Sequence, residues 1–74
     1  MAKDKYTYYQ IKGLFRTPKG GYKWEVIKTR STKSEAIRTA KEESKLVYKN
    51  FRNRCLVEQV TNIVMVEDGK EVKE

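Results

Sequence analysis

Regularly spaced cations mark the middle of this sequence as a surface that could bind phosphate groups. Five of them follow one another at intervals of 3, 4, 4 and 3 residues: Arg38, Lys41, Lys45, Lys49 and Arg52. On an α-helix this spacing places the side chains along one side, and each phosphate that such a row neutralises releases counterions. The alternative is a solvated helix surface that keeps a small protein soluble, and the sequence alone leaves both open.

Aromatic rings and cations alternate in the first third of the chain. The residues concerned are Tyr6, Tyr8, Lys12 and Arg16, with Lys23 in the segment that follows. On the uncovered face of a sheet, the rings could stack on unpaired bases while the cations contact phosphates, or the sheet could enter a DNA major groove. Cross-strand packing of Tyr against Lys and an interface with another protein account for the same residue types.

A Pro-Lys-Gly-Gly sequence, residues 18–21, lies between Arg16 and Lys23 and contains Lys19. Exposed backbone amides beside Arg16, Lys19 and Lys23 could hold one phosphate. The same residues suit an ordinary bulged hairpin turn, because Pro favours a φ of about −65° and Gly accepts the left-handed conformation. We therefore expect a hairpin tip that could extend a neighbouring binding surface.

The sequence lacks the residue combinations that most catalytic and metal sites need. It contains no His and a single Cys, Cys55, which excludes Ser-His and Cys-His nucleophile pairs and leaves zinc without its usual ligands. There is also no Gly-rich loop of the kind that cradles phosphates. We expect a protein that is not an enzyme, with no cofactor and no metal.

The charge of the chain is distributed unevenly along its length. The 17 Lys and Arg against 10 Asp and Glu give a net charge of +7, and this divides into +6 for residues 1–30, +4 for residues 31–54 and −3 for residues 55–74. A basic body favours a polyanionic partner. We expect that partner to be nucleic acid, DNA more than RNA, or a protein with an acidic surface.

Cysteine usage and hydropathy give an expectation about the compartment. One unpaired Cys is typical of a reducing environment, and the sequence shows neither a secretion signal nor an apolar run long enough to cross a membrane. We expect a cytoplasmic protein without membrane contact. The sequence does not indicate an oligomeric state.

Two strands joined by the turn form the predicted first half. Residues 6–16 alternate, and we assign the odd positions Thr7, Tyr9, Ile11, Gly13 and Phe15 to the core face and the even positions to the opposite face. In the return strand, residues 22–30, we expect Tyr22, Trp24 and Val26 to face the core, because a ring as large as that of Trp24 is hard to leave out of so small a core.

A helix should follow, because Thr32 and Glu35 form a capping box, S/T-x-x-E. About eighteen residues without Gly or Pro come next, and Ala36, Ala40, Val47 and Phe51 fall on one side at 100° per residue. Asn50 and Asn53 are the expected end of the helix, because Asn tolerates the left-handed conformation at a helix C-terminus.

These elements predict an α+β domain of type β-β-α-β over residues 1–67. The last strand, residues 55–66, is expected either to bulge or to turn near Thr61 and Asn62, and we favour the bulge. Residues 68–74 are expected to form an acidic tail that is disordered or loosely paired. A right-handed crossover gives a three-stranded antiparallel sheet in the order 2-1-3 with the helix on one face.

Part of the sequence is similar to the arm-type DNA-binding domains of phage integrases. The similar residues are 21–26, with Trp24, and 32–36, the Thr-x-x-Glu-Ala start of the helix. In those domains three strands precede the helix, whereas here a strong strand is predicted after it, so we do not assign the family.

A small, basic nucleic-acid-binding protein is therefore the function that the sequence favours. The alternative is a protein-binding adaptor or inhibitor of the type that phages encode against host proteins, acting on an acidic surface. Both functions would use the same cations.

Overall fold

The computed structural model describes residues 8–59 and 62–72, which form one antiparallel sheet and one helix. In chain order the elements are β1 (Tyr9–Arg16), β2 (Tyr22–Arg30), α1 (Lys33–Glu43), β3 (Phe51–Gln59), β4 (Asn62–Glu67) and β5 (Lys70–Val72). The five strands lie in the order β2-β1-β3-β4-β5, and α1 packs on one face of the sheet. The α+β class is confirmed.

The expected three-stranded sheet is wrong, because two further strands follow β3. The segment expected to be one bulged strand is a hairpin of β3 and β4, in which Gln59 pairs with Asn62. A second hairpin follows at Asp68 and Gly69, whose φ values of 52° and 83° are those of a tight turn that Asp-Gly favours. Lys70–Val72 then pairs with β4, within the segment expected to be a disordered tail.

The helix is shorter than predicted, with eleven residues, and it ends at Glu43. The side-chain amide nitrogen of Asn53, Nδ2, donates hydrogen bonds to the backbone carbonyl oxygens of Ser44 (2.8 Å) and Leu46 (2.9 Å). The Ser44 hydroxyl accepts a 2.7 Å hydrogen bond from the backbone N–H of Gly69. The two Asn53 bonds satisfy carbonyls that a longer helix would have used and attach the end of α1 to β3. The Gly69 bond attaches the same end to the β4–β5 turn.

The start of the helix agrees with the capping prediction. Thr32 is the N-cap, and its hydroxyl accepts a hydrogen bond from the backbone N–H of Glu35 at 3.3 Å. The same hydroxyl donates to the Glu35 carboxylate at 3.1 Å, so the carboxylate contacts the hydroxyl group of Thr32 rather than its amide.

The core lies between α1 and the sheet. Its buried members come from the helix and the central strands: Ile11, Ala36, Ala40, Phe51, Cys55, Val57 and Val66. The predicted core face of β1 is confirmed at Ile11 and Gly13. A Cβ on Gly13 would lie 3.0 Å from the rings of Phe15 and Phe51, so glycine allows these two rings, 5.1 Å apart, to pack against the strand.

Tyr22, Trp24 and Val26 do not face the core, contrary to the prediction. The backbone N–H of Thr17 donates to the carbonyl of Gly21 at 2.8 Å, and the register that follows places Trp24 opposite Leu14, on the face away from α1. The register shifts between Ile11 and Lys12, where the extra residue Ile27 forms a bulge and packs against the core.

Phe51 and Val47 provide a test of this packing, because a continuous helix would bury both side chains. Phe51 is buried, whereas Val47 is 94% exposed. We expect Phe51→Ala to lower the free energy of unfolding by about 3–5 kcal/mol, and Val47→Ala to change it by no more than about 0.5 kcal/mol. Urea denaturation of both variants measures the difference, and similar losses would contradict the short helix.

The N-cap of α1 gives a second stability test. Thr32→Ala removes the hydroxyl that binds the Glu35 amide, and we expect a loss of about 1 kcal/mol. Thr32→Ser keeps a hydroxyl at this position and should retain most of the stability. Equal denaturation midpoints for the Ala and Ser variants would show that the cap contributes nothing.

Candidate nucleic-acid interface

The face of the sheet opposite α1 is not covered by any other described element, and we call it the open face. The strand registers place the following side chains on it: Lys12, Leu14, Arg16, Tyr22, Trp24, Val26, Arg52, Arg54, Leu56, Glu58, Ile63, Met65, Glu67, Lys70 and Val72. It combines aromatic, aliphatic and charged groups, so it has the composition of a binding surface.

The aromatic residues of the open face lie on β2, near the hairpin tip. Tyr22 is 56% exposed, Trp24 37% and Val26 50%, and alternation along the strand places the three side chains in a row. The guanidinium of Arg52 lies 5.9 Å from the centre of the Tyr22 ring, within the range of a cation–π contact. Two partly exposed rings and a cation are thus available at one end of the sheet.

A shallow cavity of about 300 Å³ opens beside these rings, lined by Leu14, Tyr22, Arg52, Arg54 and Glu67. It forms where β1 and β3 lose their regular pairing, since Gly13 pairs with Cys55 but Phe15 pairs with Phe51. Two extra residues of β3 therefore lie opposite Leu14, and Asn53 among them takes a φ of 59°. The irregularity widens the sheet locally and leaves the arginines on both sides of Asn53 at the cavity.

Two ion pairs reduce the positive charge of the open face away from the tip. Lys12 Nζ lies 2.6 Å from a carboxylate oxygen of Glu58, and the Arg54 guanidinium donates to Glu67 at 3.0 Å. Among the described residues, three cations of this face have no acidic partner: Arg16, Arg52 and Lys70. Arg16 and Arg52 lie next to Tyr22, which pairs with Arg16 and contacts Arg52, whereas Lys70 lies on β5 at the other edge of the sheet.

The residues predicted for the sheet surface are only partly brought together. Tyr6 lies outside the described residues, and Tyr8 is half-buried just before β1. Lys12 and Arg16 are on the open face as predicted. Lys23 is on the opposite face, because it pairs with Phe15, and it lies 3.2 Å from Glu25.

Lys19 is exposed at the hairpin tip, in the turn that the sequence predicted. Gly20 has a φ of 93°, and the backbone N–H of Gly21 donates to the Thr17 hydroxyl at 3.1 Å. The tip is thus held by its own hydrogen bonds, and the Lys19 side chain projects at the end of the sheet nearest Arg16.

The five cations predicted to line one helix do not form a row, because the helix ends before three of them. Arg38 and Lys41 are on α1, and Lys41 lies 3.7 Å from Glu71 of β5. Lys45 and Lys49 are in the segment between α1 and β3, where the Lys45 stem lies over Gly69. Arg52 belongs to the open face, on the other side of the sheet.

The sequence reasoning missed the residues that define the cavity and its surroundings: Leu14, Tyr22, Trp24, Arg54 and Glu67. The turn contained a signal for two of them. A bulged hairpin that closes between Thr17 and Gly21 pairs residues 16 with 22 and 14 with 24, so Tyr22 and Trp24 must share a face with Arg16. No local pattern pairs Arg54 with Glu67.

The most buried carboxylate lies on the helix side of the sheet and stabilises the fold. Glu43 accepts a 3.0 Å hydrogen bond from the Tyr48 hydroxyl and lies 3.0 Å from Lys28 Nζ. The hydrogen bond to Glu43 raises the pKa of Tyr48. Glu43 therefore joins α1 to β2 and to the segment after the helix.

Cys55 is also buried, and its chemistry is that of a core residue. Burial, with a smaller contribution from the nearby charge of Glu43, raises the pKa of the Cys55 thiol from its ordinary 9.0 to about 11. The thiol is thus protonated at neutral pH and is a poor nucleophile.

Within residues 8–59 and 62–72, no group of three or more His, Cys, Asp or Glu side chains is arranged to hold a metal ion. The helix in that part of the chain is too short and too polar to cross a membrane.

No protein-family model, no curated protein and no solved structure matches this chain.

The pKa of Cys55 predicts a loss of stability in alkaline solution. Between pH 9 and about 11 the unfolded thiol loses its proton while the folded thiol keeps it. The folded state then binds one proton more, so the free energy of unfolding should fall by about 1.4 kcal/mol per pH unit. Urea denaturation across this window measures the slope. Cys55→Ala should make the slope less steep, although the raised pKa of Tyr48 leaves part of it in place. An unchanged slope in this variant would contradict the assignment.

Proposed function

We propose that this protein binds single-stranded nucleic acid through the part of the open face that adjoins the hairpin tip. The observation that carries the proposal is the exposure of Tyr22 and Trp24 side by side on β2, with Arg16 and Arg52 beside them. Aromatic rings on a sheet stack on unpaired bases, and the cations around them contact the phosphates that connect those bases.

The distribution of charge supports single strands rather than a duplex. The acids Glu58 and Glu67 lie among the cations of the open face, so this surface does not offer an unbroken row of positive charge to two phosphate backbones. Two of its unpaired cations, Arg16 and Arg52, are close to the two rings. A single strand needs only this arrangement, with bases on the rings and phosphates at the rim.

The cavity beside Tyr22 suits a base better than a phosphate. Its wall includes the carboxylate of Glu67, which would repel a phosphate but can accept hydrogen bonds from the edge of a base. The side chain of Leu14 adds an apolar surface, and the Arg52–Tyr22 pair adds a flat one. We place the phosphate contacts at the rim of the cavity, at Arg52, and beyond it, at Arg16 and Lys19.

The proposed function is non-catalytic. The protein would bind a strand through base stacking and phosphate contacts, without a reaction. DNA is the first ligand to test, with RNA of the same sequence beside it. A protein with an acidic surface, the other class of partner that the basic charge allows, has no specific feature of the open face in its favour and is treated as an outcome of the test.

Charge reversal distinguishes this surface from the general positive field of the protein. Arg16→Glu with Arg52→Glu should abolish binding of a labelled oligodeoxythymidine of about 15 nucleotides. Lys33→Glu with Arg38→Glu makes the same change in net charge at exposed positions of α1, and it should weaken binding only modestly. Equal effects of the two double variants, measured by fluorescence anisotropy, would remove the site from the open face.

Stacking and salt dependence give independent readouts in the same assay. Trp24→Ala should weaken binding by about 1–3 kcal/mol, whereas Trp24→Phe keeps a ring and should lose less. Three phosphate contacts predict a slope of log affinity against log salt of about −2 for a single strand. If the folded protein binds neither DNA nor RNA at about 50 mM salt, the nucleic-acid function is excluded and a protein partner remains.

A further inference from the structure

The sheet has two outer strands, and only one of them is protected in an obvious way. The edge at β5 is three residues long, and short edge strands do not readily pair with another chain. The edge at β2 is nine residues long, and within the described part of the chain no strand lies on its outer side. The bulge at Ile27 limits the regular portion of this edge to residues 22–26.

The hairpin turn determines which backbone groups of β2 point outward. Thr17 and Gly21 form a hydrogen-bonded pair at the turn, and in an antiparallel ladder hydrogen-bonded and non-hydrogen-bonded pairs alternate. Lys23 and Glu25 therefore direct their N–H and C=O groups to β1. Those of Tyr22, Trp24 and Val26 point away from the sheet, and these three residues also carry the exposed apolar side chains.

Residues 22–26 of two copies are complementary when they pair antiparallel with Trp24 at the centre. In an antiparallel pair of two copies centred there, Trp24 lies opposite Trp24, and Tyr22 lies opposite Val26, all on the open face. Lys23 of each copy lies opposite Glu25 of the other, on the opposite face. Opposite charges directly across from each other stabilise such a pair, as do aromatic and β-branched neighbours.

We propose that a second copy of this chain pairs with β2 through residues 22–26, around a two-fold axis at Trp24. The outward backbone groups of Tyr22, Trp24 and Val26 are then satisfied, and each copy buries the same surface, as in closed two-fold dimers. The two sheets become one continuous sheet. This goes beyond the proposed binding of nucleic acid and does not depend on it.

The charge pattern is compatible with this dimer although each chain carries a net charge of +7. Within one chain Lys23 already lies 3.2 Å from Glu25, so these two residues add no net charge to the edge. In the dimer each Lys23 gains a second carboxylate and each Glu25 a second ammonium group. The unpaired Lys19 lies beyond the end of the paired segment, and Arg16 lies one strand further in, opposite Tyr22.

Sedimentation velocity of the full chain, from micromolar to millimolar concentration, measures the dimer. We expect wild type to dimerise and Glu25→Lys, which places two Lys opposite each other twice, to raise the dissociation constant by about tenfold or more. The swapped variant, Lys23→Glu with Glu25→Lys, restores the cross-strand pairs and should dimerise like wild type. Glu42→Lys makes the same charge change on exposed α1 and should have little effect.

Cysteine cross-linking tests the register. In a hydrogen-bonded antiparallel pair the facing Cα atoms are about 5.5 Å apart, within the range of a disulfide, so Trp24→Cys should cross-link two copies in oxidised glutathione. In Tyr22→Cys the two new residues would be about 13 Å apart along the strands and should remain unlinked. The wild-type chain, whose one cysteine is the buried Cys55, is the control and should not cross-link.

A wild type that stays monomeric at millimolar concentration overturns the dimer. So does equal dimerisation of the Glu25→Lys and swapped variants, because the edge would then not pair in this register. A cross-link at position 22 but not at position 24 also overturns it. Circular dichroism of each variant establishes that a monomer is a folded one.

Discussion

The hydrogen bond between Thr17 and Gly21 determines which face every side chain of β2 occupies as far as the bulge. Closing the turn at this pair places Tyr22 opposite Arg16 and Trp24 opposite Leu14. Had the turn been one residue longer or shorter, the same strand would show the opposite face. The exposure of the two rings on the open face and the outward direction of the backbone groups of the edge both follow from this single pairing.

The bulge in β2 partly compensates for the loss of core residues that this hairpin register causes. The hairpin register directs the large apolar residues of β2 away from α1, and this would leave that strand with little to contribute to the core. The bulge at Ile27 directs one branched side chain back into it. Gly13 then allows the rings of Phe15 and Phe51 to lie over β1, so the core is completed from the neighbouring strands rather than by Trp24.

Local patterns predicted the parts of the fold that local interactions determine. The core side of β1, the turn and the Thr32 cap depend on residues within a few positions of each other, and all three agree with the structure. The length of α1 does not, because apolar spacing allows the helix to continue to Phe51. The helix ends because the Asn53 side chain binds the carbonyls of Ser44 and Leu46 and because Phe51 pairs with Phe15 of β1. A periodicity of 3.6 residues contains no information about either interaction.

The charge asymmetry of the sequence has a similar explanation. Three acids of the last third belong to strands that return to the basic part of the fold. Glu58, Glu67 and Glu71 lie beside Lys12, Arg54 and Lys41, respectively. The uneven charge along the chain is thus partly neutralised in space, and the remaining cations of the open face are at one end. This is why Lys12 is paired with an acid and Arg16 is not, although no local pattern in the sequence separates these two candidate residues.

The position of Cys55 makes it an internal reporter of how the domain opens. It lies on the central strand, between Gly13 of β1 and Val66 of β4, so fraying of either outer strand leaves the thiol covered. An alkylating reagent reaches the sulfur only when α1 leaves the sheet or the middle of the sheet separates. The labelling rate of the natural chain therefore measures the opening of the core, without an engineered probe.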